Sequence, residues 1–419
     1  MFESDQVLCS IFDYSICVII SKLVSDIHRP SCDPSVDTTS TSPWLHTSDA
    51  RRFGGLELSE GAVQQHRYDD DFVIQNYYEY EQGSSEPIIY GRLRSCIPFW
   101  KDIGASDDII DTIENGYKIP FVTIPSPKYI RNNKSAIDNS DFVAEAINAL
   151  ISKNLICELH DSIPDIVNPL TVATQSSGKK RLILDLRHVN IHVWKQKIKF
   201  DDYLVALEYF KKGYYMFSFD LKSAYHHISI FPDHRQYLSF AWDFGRGIRY
   251  FSFQVLPFGL SSAPYIFTKS LRPLVKHWRE QGFLTVLYLD DGWGCAPSYS
   301  DCTHVSNLVR HDLIHAGFIP NSEKSIWTPV QSLNWLGISW DSEIGCISIT
   351  DRRIIDILST IDSILSFLPR ISARKLASFV GRVISLAPVL GSRCTIKIQV
   401  LQYNDMSTFS LGQGFHDPM

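Results

Sequence analysis

The tightest constraint on this chain is a pair of aspartates, Asp290 and Asp291, set directly after the apolar run Phe283–Leu287 in the word YLDD (288–291). A short apolar run of this kind reads as a buried strand. Two charges at its end are costly unless solvent, a partner or a metal ion meets them. Asp291–Gly292 is also a strong turn dipeptide, so YLDD alone fits a surface hairpin as well as a metal site. A second carboxylate, Asp220, closes the aromatic-rich strand within FSFDLKSAY (217–225). Two-ion phosphoryl transfer needs carboxylates brought together from different strands, and Mg2+ selects oxygen ligands. Asp220 and Asp290 can share ions if their strands lie side by side, with the chain between them folded back.

The surrounding pattern supports a sheet built that way. Leu170–Thr174 and Arg181–Asp185 read as a strand pair across a polar turn, and Tyr215–Asp220 as a strand. Leu238–Asp243 and Ile248–Gln254 read as a hairpin about Gly245 and Gly247. Leu284–Asp290 is a strand, followed by a turn at Asp291–Gly292 and by Trp293–Ala296; Leu333–Trp340 and Cys346–Ile349 are further strands. Helical periods cover Asp141–Lys153, Ser262–Gln281 and Ser300–Ala316, the last closed by Gly317. The interleaving predicts an α+β fold with an antiparallel sheet. Beyond Thr350 the strands give way to two amphipathic helices, Asp351–Leu368 and Ser372–Leu386, around Pro369. The stretch 351–400 carries Arg352, Arg353, Arg370, Arg374, Lys375, Arg382, Arg393 and Lys397 against three aspartates. A solvated helix face and a phosphate-tracking surface both account for that charge.

The net charge of −6 argues at first against a nucleic-acid partner. Its distribution reverses the inference. Residues 1–83 hold 14 Asp+Glu against 5 Lys+Arg, a net of −9, which leaves +3 for residues 84–419. Residues 1–86 therefore read as an acidic, largely disordered leader, with SCDPSVDTTSTSP as solvated linker. With 44% hydrophobic and 21% charged residues, the whole is no collagen, coiled coil or wholly disordered chain. Val7–Val24 is apolar but broken by Asp13 and preceded by acidic residues, so a docking helix or a gene-model artefact is expected, not a signal peptide or a span. Nine cysteines at irregular spacing, with no CxxC pair, fit free thiols in a reducing compartment.

A family resemblance rests on six segments in order. FSFDLKSAY, LPFGLSSAPYIF (256–267), YLDD, AGFIPNSEKS (316–325) and WLGISW (335–340), preceded by RLILDLRHVN (181–190), resemble successive motifs of reverse transcriptases. The likeness covers about residues 150–350. Within that family, LPFGLSSAP and the block GRLRSCIPFW…GYKIPF (91–121) are most similar to retrotransposons of the DIRS type, and the gypsy-like long-terminal-repeat class is next. The resemblance implies a right-hand polymerase fold: an N-terminal helical segment (87–150), fingers (151–214), an antiparallel-sheet palm (215–350), partial thumb helices (351–400) and a tail (401–419). It implies an RNA-directed DNA polymerase extending a primer with dNTPs on an RNA or DNA template, without a membrane, in cytoplasm or nucleus. Two Mg2+ ions, or Mn2+, would serve it. Oligomeric state is left open. The length leaves no room for an RNase H domain or a recombinase, so a truncated gene product is expected.

The same resemblance assigns roles. Asp220, Asp290 and Asp291 form the catalytic carboxylate set and the metal ligands, with the Leu221 carbonyl completing the site. Asp291 is an outer ligand or a turn residue. Tyr225 floors the sugar pocket or packs in the core. Phe258 offers a ring near base or sugar, and Gly259 lets backbone approach nucleotide or template. Lys180 and Arg181, beside Lys179, meet the triphosphate or form a solvated basic turn. Lys324 approaches the pyrophosphate or is a surface lysine. Trp335, Leu336 and Gly337 begin the primer grip or are ordinary hairpin packing. His226 and His227 are rejected as joint metal ligands, because adjacent strand positions face opposite ways. Two other readings are an RNA-dependent RNA polymerase and an inactive transposon remnant that binds nucleic acid.

Overall fold

The computed structural model describes residues 71–83, 87–160, 163–175, 178–366, 373–386 and 389. Val7–Val24, the linker-like stretch after it, Arg370, Arg393, Lys397 and the 401–419 tail lie outside the described residues. The chain divides into two compact units. One comprises residues 62–202 and 217–329, and the other residues 1–61, 203–216 and 330–419.

The first unit opens with helix α1 (Asp71–Glu81), inside the segment expected to be leader. Val73 and Tyr77, four residues apart on one helix face, are both buried. Helices α2 (Arg92–Ser95), α3 (Ile97–Asp102) and α4 (Asp107–Asn115) follow. Asp107 and Asp108 sit in the first turn of α4, where the helix dipole favours anions. Strand β1 (Lys128–Tyr129), α5 (Lys134–Ile137) and α6 (Ser140–Ser152) lead to β2 (Ile156–Leu159), β3 (Ile166–Val167), β4 (Leu170–Thr174), β5 (Lys180–Leu184) and α7 (Arg187–Asn190). After α8 (Tyr203–Tyr209), which belongs to the second unit, come β6 (Tyr215–Asp220), β7 (Ser239–Asp243) and β8 (Ile248–Phe253). Long helix α9 (Ala263–Glu280), hairpin β9 (Leu284–Tyr288) and β10 (Asp291–Ala296), helix α10 (Tyr299–His315) and β11 (Ile326–Val330) complete the unit.

The sheet that positions the carboxylates has the order β11-β6-β10-β9. Thus β6 neighbours β10, and Asp220 ends a strand that lies beside the β9–β10 hairpin. The hairpin turn is not where the Asp-Gly dipeptide placed it. Tyr288 pairs with Asp291, so Leu289 and Asp290 are the two loop residues. Leu289 takes a positive φ of 54°, a conformation that costs a non-glycine residue about 1 kcal/mol or more. Gly292 and Gly294 are strand residues for a packing reason. A Cβ built at Gly292 would lie 2.1 Å from the Phe219 ring, and one at Gly294 would lie 2.5 Å from Phe217. The two phenylalanine rings of β6 cover β10 and stack on Trp327 of β11, Phe219 at 5.4 Å and nearly parallel. This interlock decides the register, and it overrides the local turn signal.

A second sheet, β2-β8-β7, and the antiparallel pair β4-β5 lie elsewhere in the unit. Helices α9 and α10 pack against β9 and β10, and Trp278 Nε1 donates to the buried Asp312 carboxylate at 2.9 Å. Buried Arg92 ties the N-terminal segment down. It donates to the Gly317 carbonyl at 3.1 Å, to Asn76 Oδ1 at 3.0 Å and to the Val73 carbonyl at 3.0 Å. Burial pushes its guanidinium down to about 10. Arg310 of α10 pairs with Glu81 of α1, and Trp100 Nε1 donates to the Ala316 carbonyl at 3.0 Å. Disorder through residue 86 is thereby corrected for residues 71–83: buried aromatic and aliphatic side chains with charged partners fold them.

The second unit holds the sheet of β12 (Ser332–Trp335), β13 (Ile338–Asp341) and β14 (Cys346–Ile349), with helices α11 (Asp351–Ser366) and α12 (Ala373–Ile384). Leu333–Trp340 is therefore two strands. Leu336 and Gly337 both take positive φ, 49° and 73°, the signature of a two-residue type I′ hairpin turn. Phe210, beyond α8, packs edge-on against Trp340, and the Gly213 N–H donates to the Ser342 carbonyl at 2.7 Å. Cys96, Cys157, Cys295 and Cys302 take part in no disulfide, whereas Cys346 is disulfide-bonded. Pairing depends on proximity in the fold, which sequence spacing does not report. Among the described residues no helix is long and apolar enough to cross a membrane.

Candidate active site

Asp220 is only 8% exposed and is gripped from one turn. Asn321 donates to it twice: its N–H to the Asp220 carbonyl at 2.8 Å and its Nδ2 to Oδ1 at 2.9 Å. Lys324 Nζ lies 3.0 and 2.9 Å from the two carboxylate oxygens. The Asp220 N–H donates to Ser325 Oγ at 3.2 Å. Next along the chain, the Leu221 N–H donates to the Asp290 carbonyl at 2.9 Å, which fixes the end of β6 to the hairpin loop.

The three carboxylates converge there. Burial raises the Asp290 carboxyl above its ordinary range and the Asp220 charge adds to this, while Lys324 and Arg181 oppose it. Asp291 is pushed up to about 6, first by burial, then by the charges of Asp290 and Asp220, and last by a side-chain hydrogen bond with Asp220. Crowded carboxylates of this kind are the donor set a hard divalent cation satisfies, since the ion's charge relieves their repulsion. Among the described residues, no group of three or more His, Cys, Asp or Glu side chains is placed to hold a metal ion by itself. A site that takes its other ligands from phosphates and water needs no such cage. The residues present fit the metal that the resemblance implies.

Aromatic side chains stand beside the carboxylates. Tyr225, on a 3-10 turn (Ala224–His227), has its ring 5.2 Å from Phe258 and 5.3 Å from Phe267. Burial, then the Asp290 charge, pushes its hydroxyl up to about 12. Phe258 is 45% exposed and offers the open face of this patch. Gly259 has φ 115°, and a Cβ there would collide with the Leu184 carbonyl, so its close approach is to β5. Asn190 fastens the same loop by donating from Nδ2 to the Gly259 carbonyl at 2.8 Å and accepting the Ser261 N–H at 2.9 Å.

Strand alternation separates Lys180 from Arg181. Arg181 acts electrostatically on Asp290, while Lys180 points its ammonium over the Phe142 ring at 5.9 Å. Trp335, Leu336 and Gly337 form the type I′ turn of the second unit. There Arg353 donates to the carbonyls of Leu336 and Gly337 at 3.5 and 3.3 Å. His226 and His227 lie on the 3-10 turn rather than on a strand. His226 meets the Phe258 ring and His227 the Phe318 ring, so they still face apart. Sequence reasoning did not single out Asn321, Ser325 or Asn190. The only cue for the first two was their place in PNSEKS, one turn apart beside Lys324.

Known proteins resemble this chain in sequence and in fold. Residues 145–340 match the family described as reverse transcriptase (RNA-dependent DNA polymerase). The chain is 27% identical over 215 residues to the retrovirus-related Pol polyprotein from transposon gypsy of Drosophila melanogaster, a match covering 50% of this chain and 20% of that protein. It is 29% identical over 198 residues to the genome polyprotein of Petunia vein clearing virus, covering 46% and 9%. The chain thus spans a fifth or less of the length of these relatives. Among solved structures it is similar to the foamy viral protease-reverse transcriptase in complex with double-stranded DNA. One such structure gives a TM-score of 0.51 at 19% identity, covering 69% of this chain and 52% of that one. Another gives 0.50 at 18%, covering 68% and 61%. The fold is the α+β polymerase fold of these neighbours.

Proposed function

We propose that the reverse transcriptase domain at residues 145–340, of the type found in retrotransposon and retroviral Pol polyproteins, is an RNA-directed DNA polymerase that extends a primer with dNTPs. The observation that carries this reading is the meeting of Asp220, Asp290 and Asp291 at adjoining ends of β6 and the β9–β10 hairpin, with Arg181 and Tyr225 around them. Asp220, Asp290 and Asp291, with the Leu221 carbonyl, are the groups that would hold two Mg2+ ions, or Mn2+. The chemistry such ions supply when bound is to acidify the primer hydroxyl and neutralise the triphosphate.

The chain's own residues do the rest. Arg181 offers a guanidinium to phosphate oxygens. Tyr225 and Phe258, their rings tilted by 38°, set an aromatic wall beside the carboxylates, suited to a deoxyribose without a 2′-hydroxyl. Lys324 stands on Asp220 and is the nearest ammonium for a leaving pyrophosphate. Gly259, held by Asn190, shapes the loop that carries Phe258. The turn Trp335–Gly337 would orient a primer end. Lys180 serves the fingers hairpin through its contact with Phe142. The block 91–121 and the LPFGLSSAP wording support a DIRS-type origin, and an RNA or DNA template-primer and a cytoplasmic or nuclear setting follow from this reading.

The test is primer extension by purified protein with and without Mg2+. Asp290→Asn abolishes extension while the melting temperature stays near that of the unaltered chain. Full extension by that variant refutes the site.

A further inference from the structure

Residues 191–200, IHVWKQKIKF, run between α7 and α8 outside helix and strand. Their exposure alternates. Lys195, Lys197 and Lys199 face solvent, while Gln196, Ile198 and Phe200 are half-buried. That is the two-residue period of extended backbone, which sets the three ammonium groups along one edge at a repeat of about 6.6 Å. The inward residues pin the strip. The Phe200 ring packs against Tyr288, first residue of YLDD, with centroids 5.6 Å apart. At the other end Val193 bridges Phe121, and the Trp194 N–H donates to the Pro120 carbonyl at 2.8 Å. Trp194 and Val122 flank that bridge and are turned outward, 61% and 69% exposed. No acidic residue occurs from Arg187 to Phe200, and the following Asp201 is taken by Arg279 at 2.6 Å.

We propose that Trp194, Lys195, Lys197 and Lys199 form a track for single-stranded nucleic acid, outside the carboxylate site. An evenly spaced edge of ammonium groups matches the phosphate repeat of one extended strand. An exposed indole at its head is a platform on which any unpaired base can stack. A duplex keeps its bases stacked on each other and has no use for that platform. A folded acidic protein would not require cations at a regular repeat. The strip leads by Phe200 to the catalytic hairpin, so it suits the unpaired template. That placement rests on the polymerase reading, whereas the binding itself does not.

Fluorescence anisotropy of the full chain tests it, with a labelled oligo-dT or oligo-rU strand and a duplex of equal length, over a salt series. The variant Lys195→Gln/Lys197→Gln/Lys199→Gln binds the single strand at least about tenfold more weakly at low salt. Its log–log salt slope is smaller by about 2, at roughly 0.7 per lost phosphate contact. The triple arginine variant keeps both affinity and slope. Trp194→Ala weakens single-strand binding at unchanged slope. Unchanged affinity and slope in the glutamine variant overturn the proposal, and so does an equal loss on duplex. An unaltered chain that binds the strand through these lysines but never extends a primer overturns the polymerase reading and leaves the track standing.

Discussion

Asn321 has no chemistry of its own to offer, yet it holds Asp220, the carboxylate that ends β6. Its side-chain bond to Asp220 at 2.9 Å selects the rotamer, and its backbone bond at 2.8 Å fixes the strand end. Asn321→Ala removes the first and keeps the second. The expected result is a three- to tenfold higher Mg2+ concentration for half-maximal extension, from the loss of a bond to a charged group that contributes about 1 kcal/mol. An unaltered Mg2+ dependence in a folded variant would show that Lys324 and Ser325 suffice. At this scale Asp220, Asp290 and Asp291 were legible in the sequence, because charge at the end of an apolar strand is conspicuous by itself. Asn321 was not, since an asparagine in a polar turn looks the same whether or not it reaches a carboxylate a hundred residues away.

Strands show a different limit. The existence of β6, β9 and β10 followed from their apolar runs, and the β4–β5 and β7–β8 hairpins fell close to their expected places. The loop of the β9–β10 hairpin did not. Asp-Gly is a turn former locally, but the glycine is required where Phe219 crosses it, and that crossing is a fact of tertiary packing. Gly292→Ala therefore overpacks the β6–β10 contact and destabilises the protein by about 1–3 kcal/mol. Urea denaturation is the measurement. A midpoint equal to that of the parent would mean that the ring shifts freely and that the interlock does not set the register. The 3-10 turn at Ala224–His227 was likewise missed. Its histidines separate by the wide angle between successive residues of a tight helix, so the rejection of a shared ion stands on a different geometry from the one first argued.

For the molecule as a whole, histidines held neutral by burial cost stability in acid. His227 is 2% exposed and held down to about 3 by burial, with the Arg92 charge next. Its folded pKa lies below its unfolded value of about 6.5. The unfolded chain therefore takes up the proton first as pH falls. Stability is complete above about 6.5 and is lost progressively toward the folded value, by about 2 kcal/mol at pH 5 for this one group. His226 and His315, each lowered to about 4 chiefly by burial, act in the same sense. Unfolding free energies at pH 7.5 and pH 5 check this. His227→Gln is less stable at both values but shows a smaller difference between them, and an identical difference would exclude His227 as a source. The composition foretold none of it. The last stretch of the segment expected to be leader folds as α1, because Tyr77, Val73 and Arg92 find partners far along the chain.

The two rings and two glycines that lace β6 to β10 also bear on how such a chain changes over generations. Phe219 and Gly292 occupy one volume between them, as do Phe217 and Gly294. Neither member of a pair is free to drift alone. A larger residue at 292 survives only alongside a smaller one at 219, so the two positions should be inherited as a linked exchange, and the β9–β10 hairpin would carry in its lineage a record of paired substitutions instead of single ones.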